Sequence, residues 1–196
     1  MWTTPGGARA RRYRGGMRMR VGALALLGML TLSGCGGGTP IPTLPPTPTA
    51  TPVFASEEEA LAAAEEAYAA YSEMSDLISS QGGADPERLA PYVTAEQLAR
   101  EIDTANYFSA NGLRADGRPV LTRFDLQQYS EVASQVEIVV YVCLDVSAVL
   151  VRDADGADVT PANRQSVVPL EVAFVASSSD TLLIANSDVW SGSSFC

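Results

Sequence analysis

The chain of 196 residues contains no histidine, and all thirteen of its basic residues are arginine. The lack of histidine excludes Ser–His–Asp and Cys–His catalytic groups and nearly all zinc sites, and the lack of lysine excludes a GxxxxGK(S/T) phosphate-binding loop. Six arginines lie within the first 20 residues, which leaves seven arginines against 23 acidic residues in the rest of the chain, a net charge of −16. This acidic remainder disfavours binding to nucleic acid.

Residues 1–34 have the layout of a secretory signal peptide. An arginine-rich stretch precedes the apolar run at residues 21–32, which is too short to span a bilayer. The next motif, Leu32-Ser33-Gly34-Cys35, resembles the lipobox of bacterial lipoproteins, in which the cysteine is acylated before the signal is cut off. The resemblance implies that Cys35 is lipidated and holds the protein on the outer face of the cytoplasmic membrane. The alternative is an ordinary signal peptide with an unrelated cysteine near its end.

Residues 35–55 join Cys35 to the rest of the chain through a stretch rich in glycine, proline and threonine. The stretch has no apolar periodicity, and its prolines favour extended polyproline II. We therefore predict a stalk between the membrane and a folded domain at residues 56–196. Its Thr-Pro composition also fits a glycosylated stalk.

The folded domain begins with predicted helices. Ser56 and Glu59 have the spacing of a capping box, and apolar residues then recur every three or four positions as far as Ile78, which predicts a long amphipathic helix. Gly82 and Gly83 end it. Asp85-Pro86 predicts the cap and first residue of a short helical turn, and Thr94 with Gln97 predicts the start of another helix.

The second half of the domain has the period of β-strands. We predict strands at residues 120–126, 136–146, 166–175 and 182–190, with turns at Asp155-Gly156 and at 177–180. The apolar positions change from even to odd near Ala148, which predicts a β-bulge in a long strand. Helices followed by four antiparallel strands predict an α+β fold, with the helices on one face of a curved sheet.

This order of elements resembles the cystatin-like α+β cone of the nuclear transport factor 2 and SnoaL-like superfamily. The stretches "YVCLDVSAVLVRDADGADVTP" and "LLIANSDVWSGSSFC" look like the C-terminal half of small actinobacterial lipoproteins with this fold. Ketosteroid-isomerase-like members use tyrosine and aspartate in an apolar cone, which makes Tyr68, Tyr71 and Tyr107 candidate pocket residues. Tyrosines at helical spacing are also explained by core packing. Asp145 alternates with the even-numbered valines of its strand, so we expect it to face the other side of the sheet, away from such a pocket.

Two cysteines remain once Cys35 carries lipid, and both lie in an exported domain. An oxidising compartment favours a disulfide between them, so we predict that Cys143 pairs with Cys196 and fastens the tail "SGSSFC" to the sheet. Residues 153–158, "DADGAD", lack two ligands of a calcium loop, and a hairpin turn explains them.

The sequence favours a membrane-anchored, non-catalytic module that binds a small apolar ligand or forms a homodimer through its outer sheet face. We expect no cofactor and no metal site. The alternative is a small isomerase or hydratase that uses tyrosine and aspartate. A carboxyl group near a tyrosine hydroxyl in an apolar cavity would favour chemistry, whereas a floor of Val, Leu and Phe would favour binding or packing.

Overall fold

The computed structural model describes residues 52–196 except 177 and 180. The two predicted helices, the short helical turn and the four predicted strands are confirmed, and the first of these strands continues past its predicted end at residue 126. Two short strands, Arg114–Asp116 and Leu150–Arg152, were not predicted. In chain order the elements are α1 (Glu57–Ser80), a 3₁₀ turn (Pro86–Leu89), α2 (Ala95–Ala110), β1 (Arg114–Asp116), β2 (Val120–Val132), β3 (Gln135–Asp145), β4 (Leu150–Arg152), β5 (Val167–Ala176) and β6 (Leu183–Val189).

The main sheet has four antiparallel strands in the order β2-β3-β5-β6. The even-numbered residues 136–142 of β3 are buried, as the alternation predicts, and they pack with Phe174 and Ile184 beneath the apolar face of α1. Register shifts in β2 and between Ala173 and Phe174 mark bulges, which bend a sheet. The predicted α+β fold, with helices on one face of a curved sheet of four strands, is confirmed.

The start of α1 follows the predicted capping pattern with one difference. The Ser56 hydroxyl accepts a hydrogen bond from the Glu59 amide at 3.2 Å. The Glu59 carboxylate reaches one residue further back than expected and accepts from the Ala55 amide at 2.8 Å. Three acidic residues in the first turn also face the positive end of the helix dipole, so this end of α1 is well stabilised.

The two glycines after α1 allow the chain to turn close to α2. Gly82 and Gly83 both have positive φ, and the Gly83 amide donates to the Ile78 carbonyl at 2.9 Å. A side chain at Gly83 would overlap the carbonyl oxygen of Ala105 in α2. The 3₁₀ turn then begins at Pro86 with Asp85 as its N-cap residue, as predicted, although the Asp85 side chain makes no capping hydrogen bond.

The predicted bulge near Ala148 is also wrong. β3 ends at Asp145, and the Val149 amide donates to the Val146 carbonyl, so the chain turns there. The next residues form β4, which leaves the main sheet and pairs with β1. The change of apolar phase therefore marks a change of sheet. The predicted turn at Asp155-Gly156 is confirmed, since the Gly156 amide donates to the Asp153 carbonyl and Gly156 has positive φ.

The packed domain begins before Ser56, the predicted boundary. Phe54 is 3% exposed and packs edge-on against Tyr129 of β2. The Val53 amide donates to both carboxylate oxygens of Glu131, at 3.0 and 3.1 Å. The chain ahead of α1 is thus held at the end of the sheet where β2 turns into β3.

The C-terminal tail lies on the face of the sheet opposite the helices. Cys143 and Cys196 form a disulfide with their Cα atoms 5.8 Å apart, which confirms the predicted pair. The Phe195 ring stacks on Tyr141 with 4.4 Å between centroids, and Trp190 packs against Tyr141 at 5.0 Å. The tail therefore covers part of the outer face on which a homodimer was predicted, and the homodimer stays a prediction.

The predicted signal peptide, Cys35 and most of the stalk lie outside the described residues. In the described part of the chain, no helix is both long and apolar enough to cross a membrane.

Candidate functional site

A cleft of about 390 Å³ lies between the second half of α1 and the end of the sheet far from the β2–β3 turn. Its floor is apolar and its helical wall is rich in hydroxyl groups. The floor is formed by Phe108, Leu121, Leu144, Val149, Val151 and Leu170, and the wall by Tyr68, Tyr71, Ser72, Ser75, Asp76 and Ser79.

Local sequence explains why there is space here. Along its first half, α1 buries Ala60 and Ala64 completely against the core. From Ser72 onward the α1 positions that line the cleft carry three serines and Asp76, whose short side chains leave space above the apolar floor. Gly117 lines another part of the cleft, and because it has no side chain it approaches the Ala148 carbonyl more closely than any other residue could.

Tyr68 is a buried neutral phenol in the wall of this cleft. Its ring packs on Phe124 of β2 with 5.8 Å between centroids. Burial raises the pKa of Tyr68 to about 12, against a smaller lowering from its hydrogen bond with Ser72. Near neutral pH the hydroxyl therefore keeps its proton and is able to donate a hydrogen bond.

The Tyr71 hydroxyl is part of a polar network that joins α1 to α2 and β6. It donates to Glu101 Oε1 at 2.7 Å, and the Gln97 amide donates to the same oxygen at 2.8 Å. The Gln97 donor is its side-chain Nε2, and the Arg100 guanidinium in turn donates to the side-chain oxygens of Gln97 at 2.9 Å and of Asn186 at 2.7 Å. Burial raises the pKa of Tyr71, and the Glu101 charge raises it further. The Tyr71 hydroxyl already donates its hydrogen within this network, so the residue has a structural role.

Asp76 brings a carboxyl group to the cleft that the sequence reasoning missed. The residue is half-buried, and burial raises the pKa of its carboxyl group, while Arg118 partly lowers it. Asp76 is four residues after Ser72 and so lies on the same face of α1. The signal available in the sequence was an acidic residue at the edge of an apolar stripe.

Two other candidates lie outside the cleft. The prediction for Tyr107 is wrong, because its side chain is 61% exposed and the neighbouring Phe108 lines the cleft instead. Asp145 also lies elsewhere, as its alternation predicts. Its carboxylate accepts a hydrogen bond from the Ser147 amide at 2.8 Å, and bonds with Ser147 lower the pKa of Asp145.

The arrangement fits a molecule with an apolar body and one polar end. Leucine and valine side chains would contact the body, while the α1 hydroxyls and the Asp76 carboxyl would meet the polar end. Among the described residues, no three His, Cys, Asp or Glu side chains are grouped so as to hold a metal ion.

No family model matches the sequence. A comparison with curated proteins found no match either. Seven chains of solved structures match, among them the intermembrane space region of chloroplast protein ARC6. That structure has a TM-score of 0.49 and 15% sequence identity, and the alignment covers 67% of this chain and 97% of that chain. The likeness is too low to support an argument about this chain.

Proposed function

We propose that this protein is a lipid-anchored, extracytoplasmic module of the nuclear transport factor 2 and SnoaL-like superfamily, and that it binds a small, mostly apolar ligand without transforming it. The cleft between α1 and the sheet is the observation that carries the proposal. Its volume of about 390 Å³ falls in the range of small-molecule sites, and its apolar floor with a few polar groups on one wall is typical of them.

The proposed location rests on the sequence. A basic stretch, a short apolar run and the Leu32–Cys35 motif occur in the order that a lipoprotein signal requires. A diacylglyceryl group on Cys35 would insert two acyl chains, which is what stable anchoring takes. The disulfide between Cys143 and Cys196 supports an oxidising compartment outside the cytoplasm.

Cell fractionation tests the anchor. Cys35→Ala in the full-length chain should release the protein to the medium or halt its processing. A variant that matures normally and stays in the membrane fraction would refute the lipid anchor while leaving ligand binding untouched.

A thermal-shift panel of small apolar compounds tests the binding. Ser79→Phe should fill the cleft, whereas Ser80→Phe places the same ring at the adjacent exposed position. At a hundredfold excess over its dissociation constant, a ligand should stabilise the wild-type protein and Ser80→Phe by about 2.7 kcal/mol. The Ser79→Phe protein should lose this shift. Equal shifts in both variants, or no shift with any compound, would overturn the proposal.

Catalysis is the second candidate, and the Asp76 carboxyl favours it because burial raises its pKa within an apolar cleft that Tyr68 also lines. Asp76 would take a proton from the carbon beside a ketone and return it two carbons further along, while the Tyr68 hydroxyl would donate to the carbonyl oxygen. The test is isomerisation of a β,γ-unsaturated cyclic ketone by wild-type protein and by Asp76→Asn. Turnover that Asp76→Asn abolishes would establish chemistry, and its absence in the wild type would leave binding as the function.

A further inference from the structure

One charged side chain among the described residues lines the cleft, and its sign limits which polar group a ligand can carry. Among the described residues that line the cleft, Asp76 is the single one with a charged side chain; the others are apolar residues, serines, tyrosines and a glycine. Tyr68 stays neutral because burial raises its pKa to about 12. A ligand therefore meets one carboxylate and several hydroxyl groups beside an apolar floor.

The Asp76 carboxylate has no close cationic partner in the described part of the chain. The ion pairs there join Arg123 to Asp125 and Arg152 to Asp116. Arg118 acts on Asp76 electrostatically, but its side chain is exposed and does not line the cleft. A partly buried carboxylate without a close partner pays a desolvation cost, and a cation bound beside it would offset that cost.

The charge of the whole domain acts in the same direction. Beyond residue 20 the chain carries seven arginines and 23 acidic residues. Such a field raises the local concentration of cations at a cleft and repels carboxylates and phosphates. The hydroxyls of Ser72, Ser75 and Ser79 accept hydrogen bonds as well as donate them, so an ammonium group has acceptors besides the carboxylate.

We propose that the ligand of this cleft is a protonated amine with a compact apolar body, whose ammonium group pairs with Asp76 while the body rests on Leu121, Leu144 and Leu170. This inference rests on the proposed function and specifies its ligand. A neutral molecule would leave the carboxylate uncompensated, and an anion would be repelled by it.

Three matched probes with the same body test the inference: adamantylmethylamine, adamantylmethanol and adamantane carboxylate. Each is titrated calorimetrically into the full-length protein, with a reference titration into detergent alone. A charge-assisted hydrogen bond should make the amine bind about tenfold or more tightly than the alcohol. The carboxylate should bind most weakly.

Two variants that each remove one negative charge distinguish a direct contact with Asp76 from an effect of the overall charge of the protein. Asp76→Asn should weaken amine binding about tenfold and leave alcohol binding within about twofold of the wild type. Asp103→Asn removes an exposed charge from α2 and should change neither affinity. Asp76→Asn acting equally on amine and alcohol would mark a structural role and overturn the inference.

The outcomes also distinguish the two proposals. Amine and alcohol binding with equal affinity would refute the amine specificity while supporting an apolar binding cleft. No binding by any probe would refute the amine ligand and count against the binding function as well.

Discussion

Replacing Cys196 by serine should lower the free energy of unfolding by about 4 kcal/mol. The disulfide joins residues 53 positions apart, and closing a loop of that length removes entropy from the unfolded chain worth about 4 kcal/mol at room temperature. Cys196 is exposed, so the substitution itself leaves no cavity in the core. Urea unfolding followed by tryptophan fluorescence should show a midpoint lower by roughly 2 M, given a slope of about 2 kcal/mol per molar.

A second variant separates the covalent bond from the packing of the tail. Phe195→Ala keeps the disulfide but removes the ring stacked on Tyr141, and a stacked aromatic pair is worth about 0.5–1.5 kcal/mol beyond its buried area. We expect it to cost much less than Cys196→Ser. If the two variants are equally destabilised, or if Cys196→Ser costs less than about 1 kcal/mol, the loop-closure reasoning fails.

Three further changes test the core. The pKa of Tyr68 is raised to about 12 from an ordinary value near 10, so its contribution to stability is complete below pH 10 and is lost as the pH rises towards 12. The free energy of unfolding should therefore fall by about 2–3 kcal/mol over this range, and Tyr68→Phe should remove that fall. An unchanged pH dependence in Tyr68→Phe would contradict the assignment. Gly83→Ala should destabilise the protein by about 2 kcal/mol or more, because the new methyl group would overlap the Ala105 carbonyl and because alanine is strained at the positive φ of this residue. No change in thermal unfolding would show that α2 moves aside freely. Glu101→Leu should lower the free energy of unfolding by about 1–3 kcal/mol, because it leaves the buried Tyr71 hydroxyl without its acceptor. Adding Tyr71→Phe should recover part of this loss. No recovery in the double-mutant cycle would show that the loss does not come from this hydrogen bond.

The elements that local sequence controls were predictable. Ser56, Thr94 and the two glycines after α1 act through hydrogen bonds and backbone angles within a few residues, and each begins or ends a helix where expected. The pairing of β4 was not predictable from local sequence. Its alternation is visible in the sequence, but its partner is β1, a three-residue strand with no periodic signal, so only the tertiary structure shows that it leaves the main sheet.

The cleft was predictable only in part, because it depends on contacts between residues that are far apart in the sequence. The apolar stripe of α1 placed Tyr68 and Tyr71 towards the sheet, since helical periodicity fixes that face. It did not show that Glu101, thirty residues away, accepts the hydrogen bond of the Tyr71 hydroxyl. Tyr107 was expected in the cleft because of its residue type, but it lies on the exposed face of α2 while the adjacent Phe108 lines the cleft. Asp76 was missed because periodicity locates a face of α1 but not which end of that face meets a cavity.

The attachment of Val53 and Phe54 to the β2–β3 hairpin determines where a mechanical load enters the domain. A pull on the chain ahead of Val53 acts first on the two hydrogen bonds to Glu131 and on the buried Phe54 ring, before it reaches the first turn of α1. From Val136 to Leu144 the sheet extends about 26 Å at roughly 3.3 Å per residue, so the cleft lies at the far end from this attachment. Tension in a tether would therefore be borne by the hairpin, and the walls of the cleft would keep their spacing.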